Sequence, residues 1–203
     1  MASVVEICNL ALAKIGQGTI NTLSEASPQA EACSLVYEPT RDALLRQYPW
    51  NFATKSAFLG QVSVTIPEAD VWLYIYQYPT NALHVRKVFN KGNIAPEIPN
   101  DYEIISTGNS KYVCCNIDQA IARYTLRVTD TTVFDPLFVQ ALACKIATEL
   151  AMQKGDTNRI KVTMSSFNEA HQAAMLAGAI EGAEQRPQSQ KSKSARSYIN
   201  ARR

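Results

Sequence analysis

The sequence has little of what enzyme chemistry is usually built from. There are only two histidines, His84 and His171, and neither stands in an ExxH or HExxH context, so no zinc-protease arrangement is present. GxGxxG, GxxxxGKS/T and GxSxG are all missing, which removes the common routes to dinucleotide, phosphate and acyl chemistry. The five cysteines, at positions 8, 33, 114, 115 and 144, are odd in number and lack CxxC spacing, so reduced, buried thiols are expected rather than a disulfide framework. Neither sign of charge prevails: Lys plus Arg number 20 and Asp plus Glu 18, a net charge of +2, so any basic patch must be local. Long apolar runs are also lacking. The longest stretch free of charged side chains, Val71 to Val85, contains Pro79 and falls short of the roughly 18 to 20 apolar residues that span a bilayer. The opening MASVVEICNL has no basic leader segment, so it does not read as a secretory signal, and the chain is expected to stay inside a cell.

What is present is an ordinary globular composition, 46% apolar and 19% charged in 203 residues, which suits one domain or one domain carrying an insertion. Ser3 and Glu6 have capping-box spacing, and Val4, Cys8, Ala11, Leu12 and Ile15 recur at helical spacing before Gly16, predicting a helix over 4–15. Ser27-Pro28 pairs a cap with a first-turn proline. From there Cys33, Val36, Tyr37, Thr40, Leu44 and Tyr48 mark a second helix, with a kink expected near Leu35 to Pro39. From Phe52 to Leu59 the period becomes two, and Val71–Tyr78, Leu83–Phe89, Tyr102–Thr107, Lys111–Ile117 and Ile121–Val128 read as further strands. Arg123, Thr125 and Arg127 alternate with apolar residues, implying one wet and one packed face and hence antiparallel sheet.

Asp135-Pro136 opens a third helix, about 136–154, on which Leu137, Ala141, Cys144, Thr148 and Ala151 share a face. Ile160, Met164, Phe167, His171, Ala174 and Gly178 mark a fourth. These elements predict an α+β fold: an antiparallel four-helix bundle from residues 1–49 and 131–180, with residues 50–130 inserted as an antiparallel β subdomain. Residues 181–203 form a flexible basic C-terminal tail in this reading. Between 183 and 203, Arg186, Lys191, Lys193, Arg196, Arg202 and Arg203 face Glu184 alone, in a segment too polar to form a core.

Candidates for chemistry are few. Cys114 and Cys115 are adjacent on a strand and point to opposite faces, so they are not expected to share a metal ion. A Cys144 and His171 dyad between the third and fourth helices is set against the plainer reading of a buried thiol beside a histidine on an apolar stripe. Asp42 with Arg46, and Lys145 with Glu149, stand at i,i+4 and read as solvated helix pairs; contact of Arg41 and Asp42 with a neighbouring subunit is the alternative. Trp50 and Phe52 read as core anchors rather than a base-stacking platform. No catalytic, cofactor-binding or metal-ligating residue is assigned.

The stretch ICNLALAKIG, then Ile20, LSEASPQAEAC from Leu23 to Cys33, Tyr37, and RDALLRQYPWNFA from Arg41 to Ala53 resembles the amino-terminal half of phage head-to-tail adaptors, the tail tubular protein A or connector proteins of short-tailed bacteriophages. The segment YQYPTNALHVRKVF and the last two helices also fit, so the resemblance covers roughly residues 3 to 180. It implies a structural virion protein made in the host cytoplasm. Its partners would be further copies of itself in a dodecameric ring, a portal protein and a tail nozzle protein, with DNA passing through a central channel without sequence-specific binding and without any membrane. No cofactor or catalysis is implied. In that setting the tail is expected to order against the portal, with Arg196, Arg202 and Arg203 meeting acidic groups and Tyr198 and Ile199 as apolar anchors. The rival expectation is a phage nucleic-acid-binding packaging or regulatory protein that uses the basic C-terminal arm on phosphates.

Overall fold

The computed structural model describes residues 2–64, 66, 71–91 and 100–184. In chain order these hold α1 (Val4–Lys14), α2 (Pro28–Gln47), β1 (Thr54–Phe58), β2 (Tyr74–Gln77), β3 (Ala82–Phe89), β4 (Tyr102–Thr107), β5 (Ser110–Cys115), β6 (Ile121–Leu126), α3 (Pro136–Gln153) and α4 (Thr157–Glu184).

Local chemistry sets the helix ends. The Ser27 hydroxyl accepts the Ala30 N–H at 3.2 Å, satisfying a donor that has no partner within α2. The Asp135 carboxylate accepts from the N–H groups of Leu137 and Phe138 at 2.7 and 3.3 Å, ahead of Pro136. Asp156 does the same for Arg159 at 3.0 Å, so α4 starts before Ile160; it continues to Glu184, making the first residues expected in the tail helical. Gly16 and Gly155, with φ of +64° and +67°, follow α1 and α3 in the left-handed conformation that glycine adopts without a Cβ clash. α2 runs unbroken through Pro39, which lies on its exposed side.

The chain divides into two compact units, one of Val5–Cys33 and the segment from Asp135 onward, the other of Met1–Val4 and Ser34–Phe134. In the first, Ile7, Cys8, Ala11 and Leu12 of α1 are buried, as are Ala30 and Cys33 at the start of α2. α3 and α4 pack along each other across the short Lys154–Asp156 connection. α3 is buried almost all round, from Phe138 to Ala151, and its Thr148 hydroxyl donates to the Cys144 carbonyl at 2.9 Å. α4 turns Thr163 and Ala174 inward, whereas Met164, expected on the same stripe, is exposed.

The second unit holds two three-stranded antiparallel sheets, in the orders β1-β6-β3 and β2-β5-β4. They meet face to face, with Val85, Val88, Ala122 and Tyr124 of one packed against Tyr76, Val113 and Cys115 of the other. On its far side the β2-β5-β4 sheet buries Ile105 and Cys114 with Ile66, against half-buried Trp72, Ile75 and Tyr112. β4 and β5 are joined by the two-residue turn Gly108-Asn109, where Gly108 takes φ +58°.

The α+β class and the antiparallel pairing are as expected, but the antiparallel four-helix bundle is not. Among the described residues only α3 and α4 pack along their lengths. The reason lies in α2 and the segment before it. Asn9 of α1 pins the Ile20 backbone, donating to its carbonyl at 2.9 Å and accepting its N–H at 2.8 Å, so the chain folds back on α1 instead of turning directly into a hairpin. The buried stripe of α2 is then divided: Ala30 and Cys33 belong to one unit, and Tyr37, Thr40, Arg41, Leu44 and Leu45 to the other.

Candidate functional site

Arg196, Tyr198, Ile199, Arg202 and Arg203, the portal-docking residues of the sequence reading, lie outside the described residues. The thiols and imidazoles are placed as follows. Cys114 and Cys115 sit on opposite faces of β5 in separate apolar clusters, as the strand period required. Burial pushes both thiols up, away from the thiolate that nucleophilic or metal chemistry needs. Cys8 of α1 and Cys33 of α2 hydrogen-bond to each other; that bond and then burial hold the Cys8 thiol far above its ordinary range. Cys144 is buried in α3, out of reach of a substrate, while His171 stacks on Phe167 of its own helix with centroids 5.3 Å apart. Among the described residues no group of three or more His, Cys, Asp or Glu side chains is placed to hold a metal ion, and no helix is long and apolar enough to cross a membrane.

The helix pairs separate. Lys145 and Glu149 form the expected ion pair at 3.1 Å. Asp42 does not pair with Arg46: it binds Arg41 at 2.9 Å through one oxygen and Arg127 at 2.7 Å through the other. Arg127 follows β6, and sequence spacing along α2 carries no sign of it. Trp50 is a core anchor, 3% exposed, with its indole N–H donating to the Leu44 carbonyl at 3.0 Å.

The β1-β6-β3 sheet gathers positive charge. Its three strands carry Lys55, Arg86, Lys87 and Arg123 and no carboxylate. Antiparallel register sets Ser56, Arg123 and Lys87 side by side across the sheet, on the face opposite the apolar cluster of Ala122 and Tyr124. Further along this face Arg86 donates to Thr125 Oγ1 at 3.1 Å and to the Arg46 carbonyl, and Arg46 in turn donates to the Leu83 carbonyl. His84 lies among these groups, its imidazole held below the usual range first by burial and then by Arg86 and Arg46. Burial and the neighbouring Arg46 also lower Arg86. Of the stripe Arg123, Thr125 and Arg127 expected to be wet, the two arginines are exposed and Thr125 is buried, its hydroxyl accepting from Arg86; the signal left unused is the total absence of acid from these three strands.

A second surface feature is apolar. α4 leaves Val162, Leu176 and Ile180 between 52% and 66% exposed, and 160–180 is otherwise rich in alanine. No protein-family model matches the chain, and no curated protein matches it.

Proposed function

We propose that this chain is a structural head-to-tail adaptor of a short-tailed bacteriophage, assembling as a dodecameric ring between portal and tail nozzle around a channel for the genome. The observation that carries the reading is the block from Ile7 to Ala53 that resembles such adaptors. Its residues are the ones that shape the fold: ICNLALAKIG is α1 with its closing Gly16, LSEASPQAEAC brings the Ser27 cap of α2, and RDALLRQYPWNFA brings the Arg41–Asp42 pair and the Trp50 anchor. Support also comes from α4, whose exposed Val162, Leu176 and Ile180 offer apolar area for a neighbouring subunit in a closed heterologous ring. The tail would supply portal contacts through Arg196, Tyr198, Ile199, Arg202 and Arg203, weak singly and summed over the ring.

Mass photometry of the full chain, alone and mixed with the portal ring of its own phage, tests the reading. A gain of about twelve copies on the portal is expected, as for a closed ring matched to its neighbour. Removal of residues 183–203 should abolish docking and leave the melting temperature unchanged. A chain that ignores the portal ends the adaptor reading, and docking that survives the truncation rejects the role given to the tail.

A further inference from the structure

The cationic face of the β1-β6-β3 sheet is not absorbed by portal docking or ring assembly, and it stands independently of them. Five cations converge there: Lys87, Arg123, Arg86, Arg127 and, from the end of α2, Arg46. Among the described residues the one carboxylate in an ion pair with any of them is Asp42, which is shared between Arg127 and Arg41. Lys87, Arg123 and Arg46 are exposed and make no ion pair among the described residues. Neighbouring strands are about 4.8 Å apart, so Lys87 and Arg123 form one adjacent pair; Arg127 lies four residues beyond Arg123, roughly 13 Å along the strand at about 3.3 Å per residue.

Five cations with one ion-paired carboxylate among them repel one another, and a polyanion laid over them relieves that repulsion while releasing its own counterions. An exposed neutral hydroxyl, that of Ser56, lies in the same row. Ser56 lies across from Arg123, its hydroxyl 3.5 Å from the Arg123 Nε, and the Arg123 guanidinium also rests 5.8 Å from the Phe89 ring centroid. Arg and Lys beside a serine hydroxyl are donors of the kind that position a protein on the sugar-phosphate backbone without reading bases. We propose that this sheet face is a nonspecific docking surface for the phosphate backbone of duplex DNA, with Lys87 and Arg123 at its centre and Arg46 and Arg127 at one end.

The test uses the full chain and a random-sequence fluorescent duplex, with binding followed by anisotropy across a salt series. To separate the sheet from the tail, Arg186, Lys191, Lys193, Arg196, Arg202 and Arg203 are all changed to Gln. This tail-neutral chain is expected to retain salt-dependent binding. Adding Lys87→Gln and Arg123→Gln should weaken it at least about tenfold and reduce the slope of log K against log salt by about 2, one unit for each lost phosphate contact. The charge-keeping pair Lys87→Arg and Arg123→Lys should bind as the parent does, and the melting temperature of each variant checks the fold. The proposal is overturned if the tail-neutral chain loses binding with the sheet intact, if the Gln pair changes nothing, or if poly-glutamate competes as well as unlabelled duplex, since that last result assigns the face to an acidic protein segment. Portal docking is read separately by mass, so failure here leaves the adaptor reading standing, and the reverse also holds.

Discussion

Asp42 serves two guanidinium groups, and one of them is buried. The Arg41 side chain is 5% exposed, and both its Nε and one terminal nitrogen donate to the same Asp42 oxygen. Asp42→Asn should therefore cost about 3 kcal/mol, the low end for stripping one partner from a buried ion pair. Arg41→Met should cost less than about 1.5 kcal/mol, because Asp42 keeps Arg127 and no buried charge is stranded. Urea midpoints at constant slope would show the order, and equal costs would mean that the charge balance is not what holds Arg41. The imidazoles set a pH dependence. Burial lowers the folded pKa of His171, so the unfolded chain binds more protons between that value and the usual one near 6.5. Stability from this source is complete above about 6.5 and is lost as pH falls through the lowered folded value. The depressed carboxyl of Glu25, held first by the Ser27 hydroxyl, acts in a lower window, where stability is lost as pH falls through its own folded value. Melting temperatures at about pH 7.5 and 5.5 should differ less for His171→Gln than for the parent; an equal drop would remove His171 as a source. Sequence alone left both points open: the i,i+4 spacing of Asp42 and Arg46 favours a pair on an isolated helix, and Arg127, some 85 residues away, wins only because β6 brings it there.

At the scale of elements, the ends were legible and the partners were not. Caps act within a few residues, so Ser27, Asp135 and Gly16 declared their helices before any tertiary contact. Asp135→Ala removes the acceptor for two N–H groups and should cost about 1 kcal/mol, while Asp135→Asn keeps an acceptor and should cost only a few tenths. Comparable losses for both would show that the carboxylate acts through charge rather than as a cap. Strand alternation is equally local, and it placed Cys114 and Cys115 on opposite faces of β5. It could not say that six strands split three and three, because every strand alternates alike whichever sheet it joins. The row of Ser56, Arg123 and Lys87 is of that kind: three segments far apart in sequence share it only through register.

For the whole molecule, the decisive element is α2. Its stripe of Cys33, Tyr37, Thr40 and Leu44 is continuous in sequence and reads as one face of a bundle helix. In the fold that single stripe serves two cores, and periodicity records only which side of a helix is apolar, not which body covers each turn. α4 shows the converse. Its moderately apolar, alanine-rich sequence reads as buried on one side, and the structure leaves Leu176 and Ile180 on the other, 63% and 52% exposed. Leu176→Asp with Ile180→Asp should change stability by less than about 0.5 kcal/mol, since neither side chain is buried in the chain by itself. Under the adaptor reading the same pair should abolish ring formation in mass photometry, and an intact ring would move the subunit contact elsewhere. The sequence by itself determined the elements, their caps and the antiparallel class, because these follow from contacts within a few residues and from the periods of helix and strand. Only the tertiary structure decided that the helices form no single bundle, that Asp42 binds Arg127, and that the cations of two strands and one helix end lie together on one face. Those outcomes depend on which distant segments compete for the same buried surface or the same carboxylate.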